Sequence, residues 1–275
     1  MTAAALGASR LAGLAAITFD FGNTLVRVDR AGLHRVLDVT AERVCERGGL
    51  ADRGAFLAAW SEERERQFRE ALPLLREVDL AERVVRVLAR CRGFAPPPPG
   101  TAWDDEAAAS RSTPDEVTFA VGTYSEAFVG SLPPAPEAGG LLERLRRRGF
   151  RLAILSNWPL AATIDRYAEA SGWTRLLEGI VVSQRVGTIK PHPAIFRAAA
   201  RVLGDPPPGS ILHVGDDWDA DVMGAKGAGW RAAYLRGSPA DSPLPRSRPG
   251  ARGTADLELD ALPELEAWLE GPENT

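Results

Sequence analysis

The sequence predicts an α/β fold: a parallel sheet with helices on both faces, and a separate helical unit inserted after the first strand. Three observations predict it. Short apolar runs that stop at Gly, Asn or Asp alternate with helix-period segments through the second half of the chain, and such alternation builds parallel sheets. Between the first and second of these runs the alternation disappears and only helical periods remain. The length of 275 residues with 45% hydrophobic content supplies enough apolar surface for one large domain or a core plus an insertion.

Taken in order, Met1 to Ala16 is small and apolar with a single Arg10, which raises the possibility of a secretory leader. Its apolar stretch runs straight into Thr18, Phe19 and Asp20, so cleavage there would remove the first strand, and residues 1–13 are read as an N-terminal extension. Leu14 to Phe21 reads as a buried strand stopping at a loop. Helical periods follow at Ala31 to Arg47, Arg53 to Glu70, Leu74 to Arg90 and Pro114 to Gly130. They are broken by Pro96 to Pro99 and an Ala-rich polar stretch, so 95–113 reads as a flexible loop. Three prolines between Leu132 and Pro136 mark the return. Strands are then expected at Phe150 to Ser156, Gly179 to Ser183, Ser210 to Val214 and Trp230 to Leu235. Helices are expected at Pro136 to Arg148, Leu160 to Ser171, Pro193 to Leu203 and Trp218 to Gly227. A loose stretch, Gly237 to Thr254, precedes a final amphipathic helix near Leu262 to Leu269. The division expected is a core of 14–29 and 133–275 and a helical unit of 30–132.

Composition narrows the partners. A net charge of -4 and a pI near 5.6 provide no basic field for nucleic acid or anionic membranes, and no other stretch approaches the roughly 20 apolar residues of a membrane span. A small molecule is the expected partner. Cys45 and Cys91, both in helical segments, form neither a disulfide framework nor a zinc cluster, which fits a reducing cytoplasm.

Four short segments fall at predicted strand ends, where open α/β sheets bind ligands. They are Asp20-Phe-Gly-Asn-Thr-Leu25, Leu155-Ser-Asn157, Lys190-Pro191 and Gly215-Asp-Asp-Trp-Asp-Ala-Asp221. Lys190 and Lys226 are the only lysines among 33 basic residues, and two of the three asparagines, Asn23 and Asn157, lie in these loops. A compact ammonium on a flexible stem reaches two acceptors at once in a way a planar guanidinium does not, so a lysine in so arginine-rich a chain marks a position of need. Carboxylates from two strand ends suit a magnesium ion, which takes oxygen ligands.

In this order, and with the continuation Asp221-Val-Met-Gly-Ala-Lys-Gly-Ala-Gly229, the four segments resemble the four motifs of the haloacid dehalogenase-like hydrolase superfamily, with a helical cap between the first and second. The resemblance implies a Rossmann-like parallel-sheet core closed by a helical-bundle cap. It implies Asp20 as nucleophile, Mg2+ held by Asp20, Asp216 and the main-chain carbonyl of Gly22, and a phosphorylated small molecule as substrate. Ser156, Asn157, Asn23 and the backbone near Gly22 would bind the phosphoryl group together with Lys190. Asp221 would orient Asp216 or a metal-bound water, with Asp217 a weaker candidate and Asp219 at the surface. His213 reads as a core residue, His192 as a turn former, and His34 as a candidate cleft residue.

One departure matters. Phosphatases of this superfamily usually carry an acid-base Asp two residues after the nucleophile, where this chain has Gly22; losing such a group costs about 100- to 10,000-fold. Three readings follow: a phosphatase whose leaving group needs little protonation or which borrows an acid from the cap, a 2-haloacid dehalogenase, or a non-catalytic phosphate-binding protein. Asp216 argues against the second, since halide departure has no use for a metal site.

Overall fold

Parallel strands covered on both faces read as unbroken apolar runs, because neither face meets water. In the computed structural model, which describes residues 13–250 and 253–270, that is what the central strands show: β1 (Ala16–Phe19) and β4 (Ile211–Gly215) are buried at every position. They lie side by side in a six-stranded sheet with β2 (Arg151–Ser156), β3 (Gly179–Val182), β5 (Arg231–Leu235) and β6 (Leu257–Leu259), in the order β3-β2-β1-β4-β5-β6 and parallel throughout. Five strands fall where the sequence places them within a residue or two. The sixth escapes notice because three residues are too few for a readable period.

Side chains alternate across the sheet and divide the core in two. Ile17, Phe19, Ile154 and Val214 face α6 (Ala138–Arg147), α7 (Ala161–Ala170) and the inserted helices; Ala16, Leu155, Ile211 and Ala232 face α9 (Pro193–Val202). A short helix, α8 (Ser183–Val186), follows β3 directly.

The insertion comprises α1 (Arg30–Gly48), α2 (Arg53–Ala71), α3 (Leu80–Cys91), α4 (Asp105–Ala109) and α5 (Pro114–Ser131). Its entry and exit chains pair with each other, Val26 against Pro134, and Ala135 N–H donates to the Leu25 carbonyl at 2.9 Å. Aromatic rings carry the core upward across this neck: Phe56, Trp60, Tyr124, Phe128 and Phe21 follow one another with centroids 5.5 to 6.5 Å apart.

Two expectations are corrected. The third cap helix begins at Leu80, six residues later than the periodicity from Leu74 suggests, because Asp79 caps it by accepting from the Ala81 and Glu82 N–H groups at 2.7 and 3.2 Å. Residues 72–79, freed from that helix, cross to the core, where Ile189 N–H donates to the Leu75 carbonyl at 3.0 Å. The stretch 95–113 is not a featureless loop. It contains α4, and Trp103 is buried against Phe94 and Ala108 while its indole N–H donates to Glu63 at 3.0 Å. Proline runs conceal a packed segment because their rigidity resembles a linker in sequence.

Trp103→Ala is expected to cost about 3 kcal/mol or more, from lost burial and the acceptor left on Glu63. Urea denaturation checks it; a loss below about 1 kcal/mol would return the segment to the status of a loop.

Candidate active site

β1 and β4 end together, and each hands the chain to an aspartate. Asp20 follows Phe19 and its N–H donates to the Val214 carbonyl at 2.8 Å; Asp216 follows Gly215. Beside them Asp221 stands on a π-helical turn, Trp218–Met223, that leads into α10 (Gly224–Gly227). Such turns are rare and collect at functional sites. One oxygen from each of Asp20, Asp216 and Asp221 lies within 4.8 Å of the others, and all three residues are buried. Gly215 makes this possible, since a Cβ there would sit 2.2 Å from the Asp221 carboxyl carbon.

Lys190 ties the group together. Its Nζ donates to Asp20 Oδ1 at 2.7 Å, to Asp221 Oδ1 at 2.6 Å and to the Leu155 carbonyl at 2.9 Å, so all three of its protons are used. Burial alone would lower its pKa, but the two carboxylates outweigh burial and hold it above the usual lysine range. Burial would likewise raise Asp221; Lys190 and the His213 hydrogen bond reverse this and keep it ionised. His213 is buried, which lowers its pKa, and it bridges Thr18 at 2.8 Å and Asp221 at 3.0 Å as a neutral ring, the satisfied core residue its strand position predicts.

The remaining candidates separate into those facing the cavity and those holding others in place. Ser156 Oγ is buried, lines the cavity and has no hydrogen-bond partner among the described residues, as a donor awaiting an anion would. Asn157 differs from expectation. Its amide clamps the Lys190 peptide, accepting from that N–H at 2.7 Å and donating to its carbonyl at 3.1 Å, so it positions Lys190 while one Nδ2 proton remains at the cavity wall. Asn23 also departs from its expected role: with φ 61° it turns the loop, its Oδ1 accepts from Val28 N–H and its Nδ2 donates to Ser242. Asp221 was expected to orient Asp216 but instead holds Lys190, and its second oxygen takes the Asp217 N–H at 2.9 Å. Asp217 caps the π-turn through Ala220 N–H and holds Ser247; Asp219 is exposed at the rim. His192 caps α9 through Ala194 N–H, and His34 is exposed and outside the cavity.

Two groups of residues are not legible in the motifs. The stretch after β5, expected to be loose, lies across the site: Ser238 donates to Asp216 Oδ2 at 2.8 Å, and Ser247 N–H to Asp217 at 3.1 Å. Leu244 from the same strap fills the space beside Gly22, where a Cβ would meet its Cδ1 at 2.7 Å and the Trp158 ring at 3.4 Å. From the cap come Arg64, Phe68, Glu77, Arg83 and Tyr124, closing a cavity of about 490 Å³ over the aspartates. Glu77 accepts from Ser183 on the core, and Arg64 donates to the Pro243 carbonyl at 2.6 Å, so cap, core and strap are latched to one another.

A family model described as haloacid dehalogenase-like hydrolase matches residues 14–229. The chain belongs to the haloacid dehalogenase-like hydrolases. The match includes the cap and ends before the strap, so the strap's share of the cover over the site lies outside it. A glyceraldehyde 3-phosphate phosphatase of Methanopyrus kandleri is 30% identical over 55% of this chain and 63% of its own length. The chain thus spans less than two thirds of that relative. A 2-haloacid dehalogenase from Pseudomonas syringae pv. Tomato has a TM-score of 0.62 at 20% identity, covering 94% of this chain and 98% of its own. The HAD-hydrolase YfnB from Bacillus subtilis, bound to magnesium, has a TM-score of 0.60 at 17% identity over 93% and 98% of the two chains. Those likenesses establish the fold. Among the described residues no helix is long and apolar enough to cross a membrane.

The charges in this haloacid dehalogenase-like hydrolase fit a divalent cation. Three buried carboxylates and one ammonium leave an excess of two negative charges when ionised, and Asp221 is committed to Lys190 and His213, so Asp20 and Asp216 are the carboxylates that would hold such an ion. Without a cation the excess is relieved by protons. Burial, with the charges of Asp20 and Asp221 adding to it, pushes Asp216 up to about 8, and burial pushes Asp20 up to about 6. A carboxyl whose folded pKa is raised stabilises the fold fully below its ordinary value of about 3.9 and loses that contribution as pH rises through the folded value. Chelator-treated protein is therefore expected to lose stability from about pH 4 to about pH 8, and magnesium to restore it most at the alkaline end. Thermal unfolding should show a magnesium-dependent rise on the order of 5 °C near pH 8 and a clearly smaller one near pH 5.5. Equal shifts at the two values would contradict the assignment.

Proposed function

We propose that this hydrolase is a magnesium-dependent phosphatase of a small phosphorylated metabolite, with Asp20 as the nucleophile. The observation that carries this reading is the convergence of Asp20 and Asp216 with Lys190 in a cavity that Ser156 also lines, its hydroxyl without a hydrogen-bond partner among the described residues. A carboxylate attacking a phosphoryl group meets anionic oxygens, and a bound magnesium ion supplies the charge neutralisation that lets the two approach. Lys190 holds one oxygen of Asp20 and leaves the other to attack phosphorus. The bond from phosphorus to the leaving oxygen breaks as the bond to Asp20 forms; water then attacks that phosphorus, releases phosphate and frees the carboxylate. Ser156 donates to a phosphoryl oxygen through both steps. The phosphatase names among the relatives, including phosphoglycolate and glyceraldehyde 3-phosphate phosphatases, support the same reaction class.

The leaving group takes no proton from position 22. Leu244 and Trp158 make that side of the site apolar, so the chemistry favours substrates whose leaving oxygen departs readily as an anion, such as acyl and anomeric phosphates. A haloacid dehalogenase likewise needs no acid there, but Asp216, a second buried carboxylate beside the nucleophile, serves no purpose in halide displacement.

Magnesium-dependent phosphate release is expected from a panel of acyl, sugar and alkyl phosphates, fastest for the acyl phosphates, and Asp20→Asn should lower it by about 1,000-fold or more. Halide release from haloacids in chelator, with no phosphate release, would overturn the reading. The double variant Gly22→Asp with Leu244→Ala should raise kcat on alkyl phosphates at least about 10-fold above Gly22→Asp alone, because only the pair clears room for the new carboxyl. Equal rates for the two variants would show that Leu244 does not fill that slot.

A further inference from the structure

The cavity has two walls of opposite chemistry. The floor carries the aspartates and Lys190; the cap contributes Arg64 and Arg83. Arg83, on α3, is only 3% exposed. Its Nε donates to Gln67 Oε1 at 2.9 Å and its guanidinium lies over the Trp60 ring, 5.6 Å from the centroid. Those contacts fix the base of the fork and leave its end: Nη2 has no hydrogen-bond partner, and neither terminal nitrogen has an ion pair among the described residues.

Nearby acids do not supply one. Glu77 is taken by the Val78 N–H and the Ser183 hydroxyl, and Glu63 by Arg90 and the Trp103 indole. Burial, with the charge of Arg64 added to it, pushes Arg83 down to about 10, so it remains a cation at neutral pH beside another cation. Buried guanidinium groups are ordinarily paired, because an unpaired charge away from water is costly. Arg83 lines a cavity of about 490 Å³, within the range of small-ligand sites. A planar guanidinium with its Nη2 unpartnered and neither terminal nitrogen in an ion pair among the described residues matches a carboxylate or a phosphate.

We propose that Arg83 receives a second anionic group of the substrate, a carboxylate or a second phosphate, at the cap end of the cavity while the phosphoryl group lies on Asp20 and Ser156. The phosphoryl end of this assignment rests on the phosphatase reading above; the cap end rests on Arg83. The substrate class is then a phosphorylated metabolite with negative charge at both ends, and Arg83 is the residue that selects it.

Binding tests this without turnover. Asp20→Asn protein in magnesium buffer is titrated calorimetrically with glycolate phosphate against ethyl phosphate, and with a sugar bisphosphate against its monophosphate. The member bearing the second anion should bind at least about 100-fold more tightly in one pair, and which pair shows it separates carboxylate from phosphate. Adding Arg83→Gln should reduce that preference to within a few-fold while ethyl phosphate binds as before, which also reports an intact fold; Arg83→Lys, gentler on packing, should retain part of it. Equal affinities within both pairs, or a preference surviving Arg83→Gln, would overturn the proposal while leaving the phosphatase reading in place. Failure to bind any of the four phosphates would overturn both.

Discussion

One buried ammonium organises the site. Lys190 is placed out of water, where a charge is tolerated only with close partners, and it takes Asp20, Asp221 and the end of β2 as acceptors. Each demand propagates. Asp221 can approach because position 215 has no side chain and because a π-turn, not a regular helix, presents it. The Lys190 backbone is set by the Asn157 amide, and Asp221 is steadied by a neutral His213 that is itself held by Thr18. Strand ends, loops and a turn from four places in the chain are thereby bound to one nitrogen atom.

The same charges explain what the site wants. With Lys190 satisfied, the surplus negative charge falls on Asp20 and Asp216, a divalent cation is the natural complement, and the cation in turn favours an anionic substrate. Above this floor the enclosure is apolar on one side, where Leu244 and Trp158 border Gly22, and cationic on the other, where Arg64 and Arg83 stand. Closing such a space excludes water and strengthens every electrostatic contact within it. Hydrogen bonds at Glu77–Ser183 and Arg64–Pro243 join the cap to the core and to the strap.

Much of this was legible in the sequence, for identifiable reasons. Strands buried on both faces leave apolar runs, and the turn-forming or charged residue that ends each run also marks the catalytic edge of the sheet. Lys190 stands out because the chain is so poor in lysine. What the sequence concealed depends on contacts between distant segments. The sequence marks the loops that carry Asn157 and Asn23, but their side-chain partners, the Lys190 peptide and Ser242, are tertiary neighbours that no local pattern encodes. The strap after β5 has the proline, serine and arginine content of a linker, and only its fold-back shows that it covers the site. Arg83 occupies an ordinary helical position, and its significance lies in an Nη2 without a hydrogen-bond partner among the described residues rather than in a motif.

The central claim is that Asp20, held by Lys190, bonds covalently to the phosphoryl group. It is tested most directly by mass spectrometry of enzyme quenched in acid during turnover of acetyl phosphate with magnesium, followed by peptide mapping. The account predicts a phosphate adduct on the peptide bearing Asp20, absent from Asp20→Asn protein and from chelator-treated protein. Turnover that proceeds with that peptide unmodified, or an adduct carried by another residue, would contradict it.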